Sequence, residues 1–261
     1  MTMTAEAVWL NSFFAGFDNA ILSFAHKLAE AAGGVLTPLF KLISLLGKGG
    51  IFFFLLAIIM VFFPRWRKAG VCIFGAVCCG ALITNILLKD HIARLRPFEA
   101  SELYRQWWQF IGSPIEDGFS FPSGHVTAAA AACTGLSLIR GRRWVLPGVI
   151  CVLLMMFSRN YLMVHYPSDV LFGALIGVFS GFVAAWITQL IFRVLEKRSG
   201  ESRTADFLLY SGIESLPDPK SLKSVKLSSK KPARRESSSH VALHASESRS
   251  ENAGSSYIGK H

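Results

Sequence analysis

Long apolar runs alternate with short polar segments over roughly the first three quarters of the chain. Five of these runs approach the length of a membrane-spanning helix: residues 49–63, 69–88, 125–140, 144–163 and 168–193. An earlier run, residues 8–31, is interrupted by polar side chains, so it is either a further span or an amphipathic helix at the membrane interface. We therefore predict an all-α, polytopic membrane bundle of about 5–6 transmembrane helices.

Glycines and a change in composition divide the chain into segments. Gly33 and Gly34 predict a break in the first helix, and residues 36–46 follow as a short amphipathic helix starting near Pro38. We expect an N-terminal segment at 1–34, a membrane domain at 35–198 and a tail at 199–261. The tail is rich in Ser, Lys and Arg and has few large apolar residues, which is typical of disorder.

The net charge of +10 is concentrated in the tail and in short segments beside the apolar runs. Basic clusters at residues 65–68, 140–143 and 193–198 fall on one side of the membrane if the spans alternate, and positive charge marks that side as cytoplasmic. Seven basic residues and no acidic one lie in residues 220–235, which could contact anionic lipid headgroups. This distribution favours a membrane partner over a nucleic acid.

The same alternation places residues 89–124 and 158–168 on the extracytoplasmic side, where basic residues need a reason other than topology. The second of these segments carries Arg159 and His165 and is followed by Asp169. If this stretch is helical, His165 and Asp169 share one face, so that the carboxylate can orient the imidazole. Arg159 adds a guanidinium, whose parallel N–H donors suit the oxygens of a phosphoryl group. Taken alone, the three residues could equally be an ion pair beside a hydrogen-bonded histidine.

Two further stretches favour an anion-binding site. Lys89 and Arg96 are seven residues apart, a spacing that predicts one shared helix face. Ser123, Gly124 and His125 lie at the start of the third clear span, and a helix start with a glycine lets backbone N–H groups approach an anion.

Together these stretches read Lys-x6-Arg-Pro, Pro-Ser-Gly-His and Ser-Arg-x5-His-x3-Asp. In this order the chain resembles the phosphatidic acid phosphatase type 2 superfamily, which includes lipid phosphate phosphatases, bacterial non-specific acid phosphatases and vanadium haloperoxidases. The resemblance covers roughly residues 35–195. It departs at Met163, where a glycine is usual.

The resemblance implies a role for each matching residue. His165 would attack phosphorus and form a phosphohistidine, Asp169 would orient it, and His125 would protonate the leaving group. The phosphoryl oxygens would be held by the remaining motif residues: Lys89, Arg96, Ser123, Gly124 and Arg159. Arg94 and His91 are left outside this assignment.

We expect no metal and no other cofactor. The cysteines lie in apolar runs without the spacing of metal ligands: Cys72, Cys78, Cys79, Cys133 and Cys151. The predicted function is hydrolysis of a lipid phosphate of the undecaprenyl pyrophosphate, phosphatidylglycerophosphate or phosphatidic acid type, by a multi-pass protein of a bacterial cytoplasmic membrane. The alternatives are a lipid phosphotransferase of the same superfamily and a catalytically silent lipid-binding or scaffold protein.

Overall fold

The computed structural model describes residues 3–199 and positions 205, 209 and 210, and these contain helices and turns but no strand. The α-helices are α1 (Ala5–Phe13), α2 (Ala15–Gly47), α3 (Ile51–Val61), α4 (Pro64–Ala81), α5 (Lys89–Ile92), α6 (Pro97–Ala100), α7 (Glu102–Phe110), α8 (Gly124–Arg140), α9 (Val145–Tyr161) and α10 (Pro167–Arg198). The predicted all-α class is confirmed. The basic segment 220–235, with nearly all of the predicted tail, lies outside the described residues.

Among the described residues, four stretches are long and apolar enough to cross a membrane: Ala15–Val61, Pro64–Ala100, Arg142–Tyr161 and Pro167–Arg198. The first of them contains both α2 and α3, which meet at Gly49 and Gly50, where φ is positive. Many large apolar side chains on these helices are exposed, as expected of surfaces that face lipid tails.

Helix α2 differs in part from the predicted elements. The interruption expected at Gly33 and Gly34 lies one residue earlier, as a kink at Ala32, which has a non-helical conformation (φ −140°, ψ 19°), and helical structure then runs through both glycines to Gly47. Pro38 lies inside the helix rather than at its start. A glycine inside a helix costs about 1 kcal/mol. Packing offsets that cost, since buried side chains of α2 such as Leu22 share a cluster with residues 161–164.

Helix α8 lies at the centre of the bundle and packs against α4, α9 and α10. Its contact with α10 is made by small residues. A Cβ atom added to Gly177 would lie 2.5 Å from the Thr127 carbonyl oxygen, and one on Gly181 would lie 2.6 Å from the Thr134 Cβ. Small residues spaced four apart allow membrane helices to approach this closely. The position of α8 against α10 therefore depends on these glycines.

The loops with basic clusters gather at one end of the bundle. The Arg140 guanidinium donates to the Arg65 carbonyl at 3.1 Å and stacks on Trp66, whose ring also contacts Trp144. Helices α4 and α9 begin at this end, and α8 and α10 finish there. The segments that carry the predicted site residues consequently lie at the opposite end.

We expect Gly177→Ala to lower stability, because the new methyl group meets backbone of α8 that cannot move aside freely. Overpacking of this kind costs about 1–3 kcal/mol. The measurement is the midpoint of thermal unfolding in detergent. Gly34→Ala is the matched control, since nothing lies within 4 Å of a Cβ there. An equal midpoint for Gly177→Ala and wild type would show that the glycine contact does not hold the helices together.

Candidate active site

The predicted site residues come from several segments that meet at the end of the bundle opposite the basic loops. Ser123, Gly124 and His125 are at the start of α8, and Asp169 lies in the first turn of α10. Arg159 lies in the last turn of α9, and Lys89 begins α5 after a π-helical segment, Leu82–Leu88. Such π-helical turns often occur at functional sites.

A cavity of about 160 Å³ opens among these segments, and its lining includes Lys89, Arg96, Gly124, His125 and His165. Ligand pockets for drug-sized molecules usually measure about 300–1,000 Å³. The cavity therefore suits a small charged group rather than a whole lipid. The other three predicted residues are fully buried beside it: Ser123, Arg159 and Asp169.

The prediction that Lys89 and Arg96 share a helix face is wrong, although both line the cavity. The helix ends at Ile92, because Ala93 adopts a left-handed conformation with φ of 49°. Arg96 is extended (φ −71°, ψ 157°), as expected of a residue that precedes a proline. The two residues therefore line the cavity from different backbone segments, one helical and one extended.

Arg96 ties the loops around the cavity together. Its guanidinium donates to the carbonyl oxygens of Gly118 at 2.9 Å, Val164 at 2.8 Å and Asp117 at 2.8 Å. A guanidinium has five N–H groups, so donors remain for an anion after these bonds are made. The buried cation thus both holds the loops and faces the cavity.

His165 lies in the turn before α10, so the helical arrangement considered for His165 and Asp169 does not occur. The Nδ1 atom of His165 is 3.7 Å from Asp169 Oδ2. Between them stands the Ser120 hydroxyl, which donates to Asp169 Oδ2 at 2.5 Å and lies 3.4 Å from His165 Nδ1. Sequence reasoning missed Ser120, because a serine in an irregular loop has no distinguishing pattern.

Glu116 is a second residue that sequence reasoning missed. Its carboxylate forms an ion pair with Arg159, and its oxygens lie 3.8 Å from Arg96 Nη2 and 4.0 Å from His125 Nε2. Burial alone raises the pKa of this carboxyl, but the neighbouring Arg159 and His125 side chains outweigh it and lower the pKa to about 2. Glu116 is therefore ionised and places a carboxylate among the groups predicted to bind phosphate.

The electrostatics of the cavity keep His165 neutral. Its burial, followed by the positive charges of Arg96 and Arg159, lowers the pKa of His165 well below the usual value. A neutral imidazole has a free lone pair, which an attack on phosphorus requires.

Several buried polar atoms around the cavity have no hydrogen-bond partner among the residues that the structure describes. They are Ser123 Oγ, His125 Nε2 and Arg159 Nε. Buried polar atoms are almost always paired in a folded protein, and exceptions call for an explanation. A bound anion that these groups contact would explain all of them.

Met163, the departure from the superfamily pattern, adopts φ of 55° and is fully buried. This left-handed region favours glycine, and another residue there costs about 1–2 kcal/mol. The turn that presents His165 therefore demands the conformation that a glycine would supply, and this chain forms it with methionine.

The fold and the cavity together define a helical membrane protein whose buried cations and histidines surround one small polar site. Residues 69–193, somewhat less than half of the chain, match the family model described as the PAP2 superfamily. All predicted site residues lie within the matched segment.

The chain is also similar to curated relatives and to a solved structure. The chain is 29% identical to an undecaprenyl-diphosphatase of Sulfolobus acidocaldarius over 130 residues, 49% of this chain and 60% of the relative. It is 34% identical to a decaprenylphosphoryl-5-phosphoribose phosphatase of Mycobacterium tuberculosis over 121 residues, 46% of this chain and 62% of the relative. The matches thus span less than two thirds of the length of these relatives.

The solved structure is that of a transmembrane PAP2-type phosphatidylglycerolphosphate phosphatase from Bacillus subtilis. It matches with a TM-score of 0.50 at 25% identity, over 72% of this chain and 98% of that chain.

Proposed function

We propose that this protein is an integral membrane phosphatase that hydrolyses a phosphate or pyrophosphate monoester of a lipid through a phosphohistidine on His165. The observation that carries the proposal is the convergence of His165, His125, Lys89 and Arg96 on one cavity, with buried polar atoms beside it that lack partners. An anion-binding site that also holds two histidines can carry out phosphoryl transfer.

The first step is attack on phosphorus by His165. Its Nδ1 faces Ser120 and Asp169, so Nε2 is the nitrogen available to attack. The new N–P bond forms as the bond from phosphorus to the leaving oxygen breaks. The protonated form of His125, which the negative charge of the bound phosphoryl group favours, gives its proton to that oxygen and becomes neutral. A general acid of this kind contributes about 10²–10⁴-fold.

The second step is hydrolysis of the phosphohistidine. Water attacks phosphorus, His125 accepts a proton from the water, and the electron pair of the N–P bond returns to His165. Inorganic phosphate leaves and the enzyme is restored. In both steps Lys89 and Arg96 stabilise the charge on the phosphoryl oxygens, which is the main requirement of phosphoryl transfer.

Arg159, Ser123 and the Gly124 N–H complete the set of phosphate-binding groups in this proposal. The Glu116 carboxylate forms an ion pair with Arg159. Because two anions repel each other at one guanidinium, a bound phosphoryl group must displace Glu116 from Arg159 or share it at a cost.

Metal-independent chemistry is part of the proposal. The described residues contain no group of three or more His, Cys, Asp or Glu side chains placed to hold a metal ion. The positive charge needed at the phosphoryl oxygens can come from Lys89, Arg96 and Arg159.

A lipid substrate fits the surroundings of the cavity. Its lining includes Gly50 and Asn85, and their sequence neighbours Ile51 and Ile86 are exposed, apolar and on membrane-crossing stretches. A lipid tail can lie against these side chains while its headgroup enters the cavity. The similar proteins that are named for polyprenyl-linked substrates favour undecaprenyl pyrophosphate, with phosphatidylglycerophosphate and phosphatidic acid as further candidates.

We place the site at the extracytoplasmic face of the cytoplasmic membrane. The support is the gathering of basic loops at the opposite end of the bundle, because positively charged loops face the cytoplasm.

The proposal predicts phosphate release by the purified protein in mixed micelles with EDTA present, from at least one of the three candidate lipids. His165→Ala should lower turnover by about 10³-fold or more, since it removes the nucleophile. His91→Ala, a change of an exposed histidine outside the cavity lining, is the matched control.

Wild-type turnover in His165→Ala would remove the phosphohistidine mechanism, and a strict metal requirement would contradict the metal-independent site. Transfer to an added acceptor without release to water would identify a phosphotransferase instead.

The position of Glu116 gives a separate prediction. Glu116→Gln should lower the inhibition constant of inorganic phosphate by about tenfold, because the competing carboxylate is removed and a charge-assisted contact is worth about 1.5–3 kcal/mol. The measurement is competitive inhibition of lipid hydrolysis, with the exposed Glu102→Gln as the control. Weaker or unchanged phosphate binding in Glu116→Gln would show that Glu116 does not compete with the anion.

A further inference from the structure

We propose that Asp18, on α2, is a positioning residue for His165 and acts through Arg94 and Asp169. Asp18 lies outside residues 69–193, the segment that matches the superfamily. The inference rests on the phosphatase function proposed above and assigns to the N-terminal helix a part in that reaction.

Arg94 joins the two carboxylates directly. Its Nη2 donates to Asp18 Oδ2 at 2.9 Å, and its Nη1 contacts Asp169 Oδ1 at 2.5 Å. All three side chains are nearly or completely buried, with 3% of Asp18 and none of Arg94 or Asp169 exposed. Ion pairs as deep as these are weakly screened by solvent.

The remaining polar atoms of the network are also paired. Arg94 Nε donates to Asn11 Oδ1 at 2.8 Å, and its guanidinium stacks on the Tyr166 ring. Asp18 accepts two hydrogen bonds from Ser168, one from its N–H and one from its hydroxyl, both at 2.8 Å. Because every member has partners, the network holds Asp18 and Arg94 in one arrangement against the start of α10.

The charges in the network explain how the carboxylate of Asp18 affects the charge that Asp169 presents to His165. One guanidinium between two carboxylates leaves a net charge of −1, from +1 for Arg94 and −1 each for Asp18 and Asp169. Asp169 therefore keeps negative charge toward Ser120 and His165. Without Asp18, Arg94 and Asp169 would form a neutral pair, and the attraction of Asp169 for a proton or positive charge on His165 would weaken.

Other charged groups face the same residues and set the background for any titration. Those that act on His165 include Arg96, Arg159, Glu116 and His125. The phenols of Tyr104 and Tyr166 also lie close enough to interact electrostatically with Asp18.

The test compares wild type with Asp18→Asn, which keeps the shape of the side chain and removes its charge. We expect kcat to fall about 10–100-fold, taking as the scale the loss seen when a partner that orients a metal-ligating histidine is removed. We also expect the acid limb of the kcat/KM profile to move to lower pH, because loss of a nearby negative charge disfavours the protonated imidazole. Glu30→Gln, an exposed carboxylate on the same helix, is the matched control.

The pH profile separates positioning from folding, since misfolded molecules lower kcat without moving the acid limb of the active ones. A lower kcat with an unmoved limb, or a wild-type kcat, would overturn the inference. If Asp18→Asn gives no active protein, Asp18→Glu decides. If Asp18→Glu turns over substrate and its kcat/KM profile has the same acid limb as wild type, the role of the charge is supported. If both variants are inactive, Asp18 has a structural role only and the inference is overturned.

Phosphate release by the wild-type protein shows whether a negative result counts against the role of Asp18 or against the proposed phosphatase function. Absence of phosphate release by wild type would mean that the proposed function fails. Release by wild type together with an unaffected Asp18→Asn would mean that only the role of Asp18 fails.

Discussion

The burial of three arginine side chains at one end of the bundle is the constraint on which the site depends. Arg94, Arg96 and Arg159 are at most 1% exposed. A buried cation without partners is severely destabilising, so each must be matched by charges or carbonyl groups. The matches come from segments far apart in sequence: carboxylates on α2 and α10 for Arg94, loop carbonyl groups for Arg96, and Ser44 with Glu116 for Arg159. The arginines therefore determine how the loops close over the ends of the helices.

Close packing of small residues supplies the second requirement, since polar groups can pair only if the backbones that carry them are near. A Cβ on Gly173 would lie 2.7 Å from the Ser123 carbonyl oxygen. At this separation the Ser123 N–H donates to the Asp169 carbonyl oxygen at 3.1 Å. The start of α8, where phosphate is expected to bind, is thus joined to the start of α10. Apolar contacts between the helices set the distance, and the buried polar network sets the orientation of His165.

Local pattern predicts the helices and the motif residues of this site, and it fails where a contact is not local. Apolar runs correspond closely to α4, α8, α9 and α10. Helical spacing was misleading for Lys89 and Arg96, because Ala93 ends the helix between them. Glu116 and Asp18 could not be predicted, since a single carboxylate has no periodicity and its importance comes from a cation far away in the sequence. Long-range pairing of charges is visible only after the helices are assembled.

Glu116 addresses a problem that any buried anion-binding site creates. If these cations bind a phosphoryl group as proposed, their charge needs another partner whenever that group is not bound, and Arg159 is fully buried. The Glu116 carboxylate supplies the missing negative charge on Arg159 from a loop without regular structure. A loop can move at less cost than a packed helix, because it has fewer apolar contacts to break. Under the proposed function, the carboxylate therefore stabilises buried Arg159 and still gives way to substrate, at the expense of weaker phosphate binding.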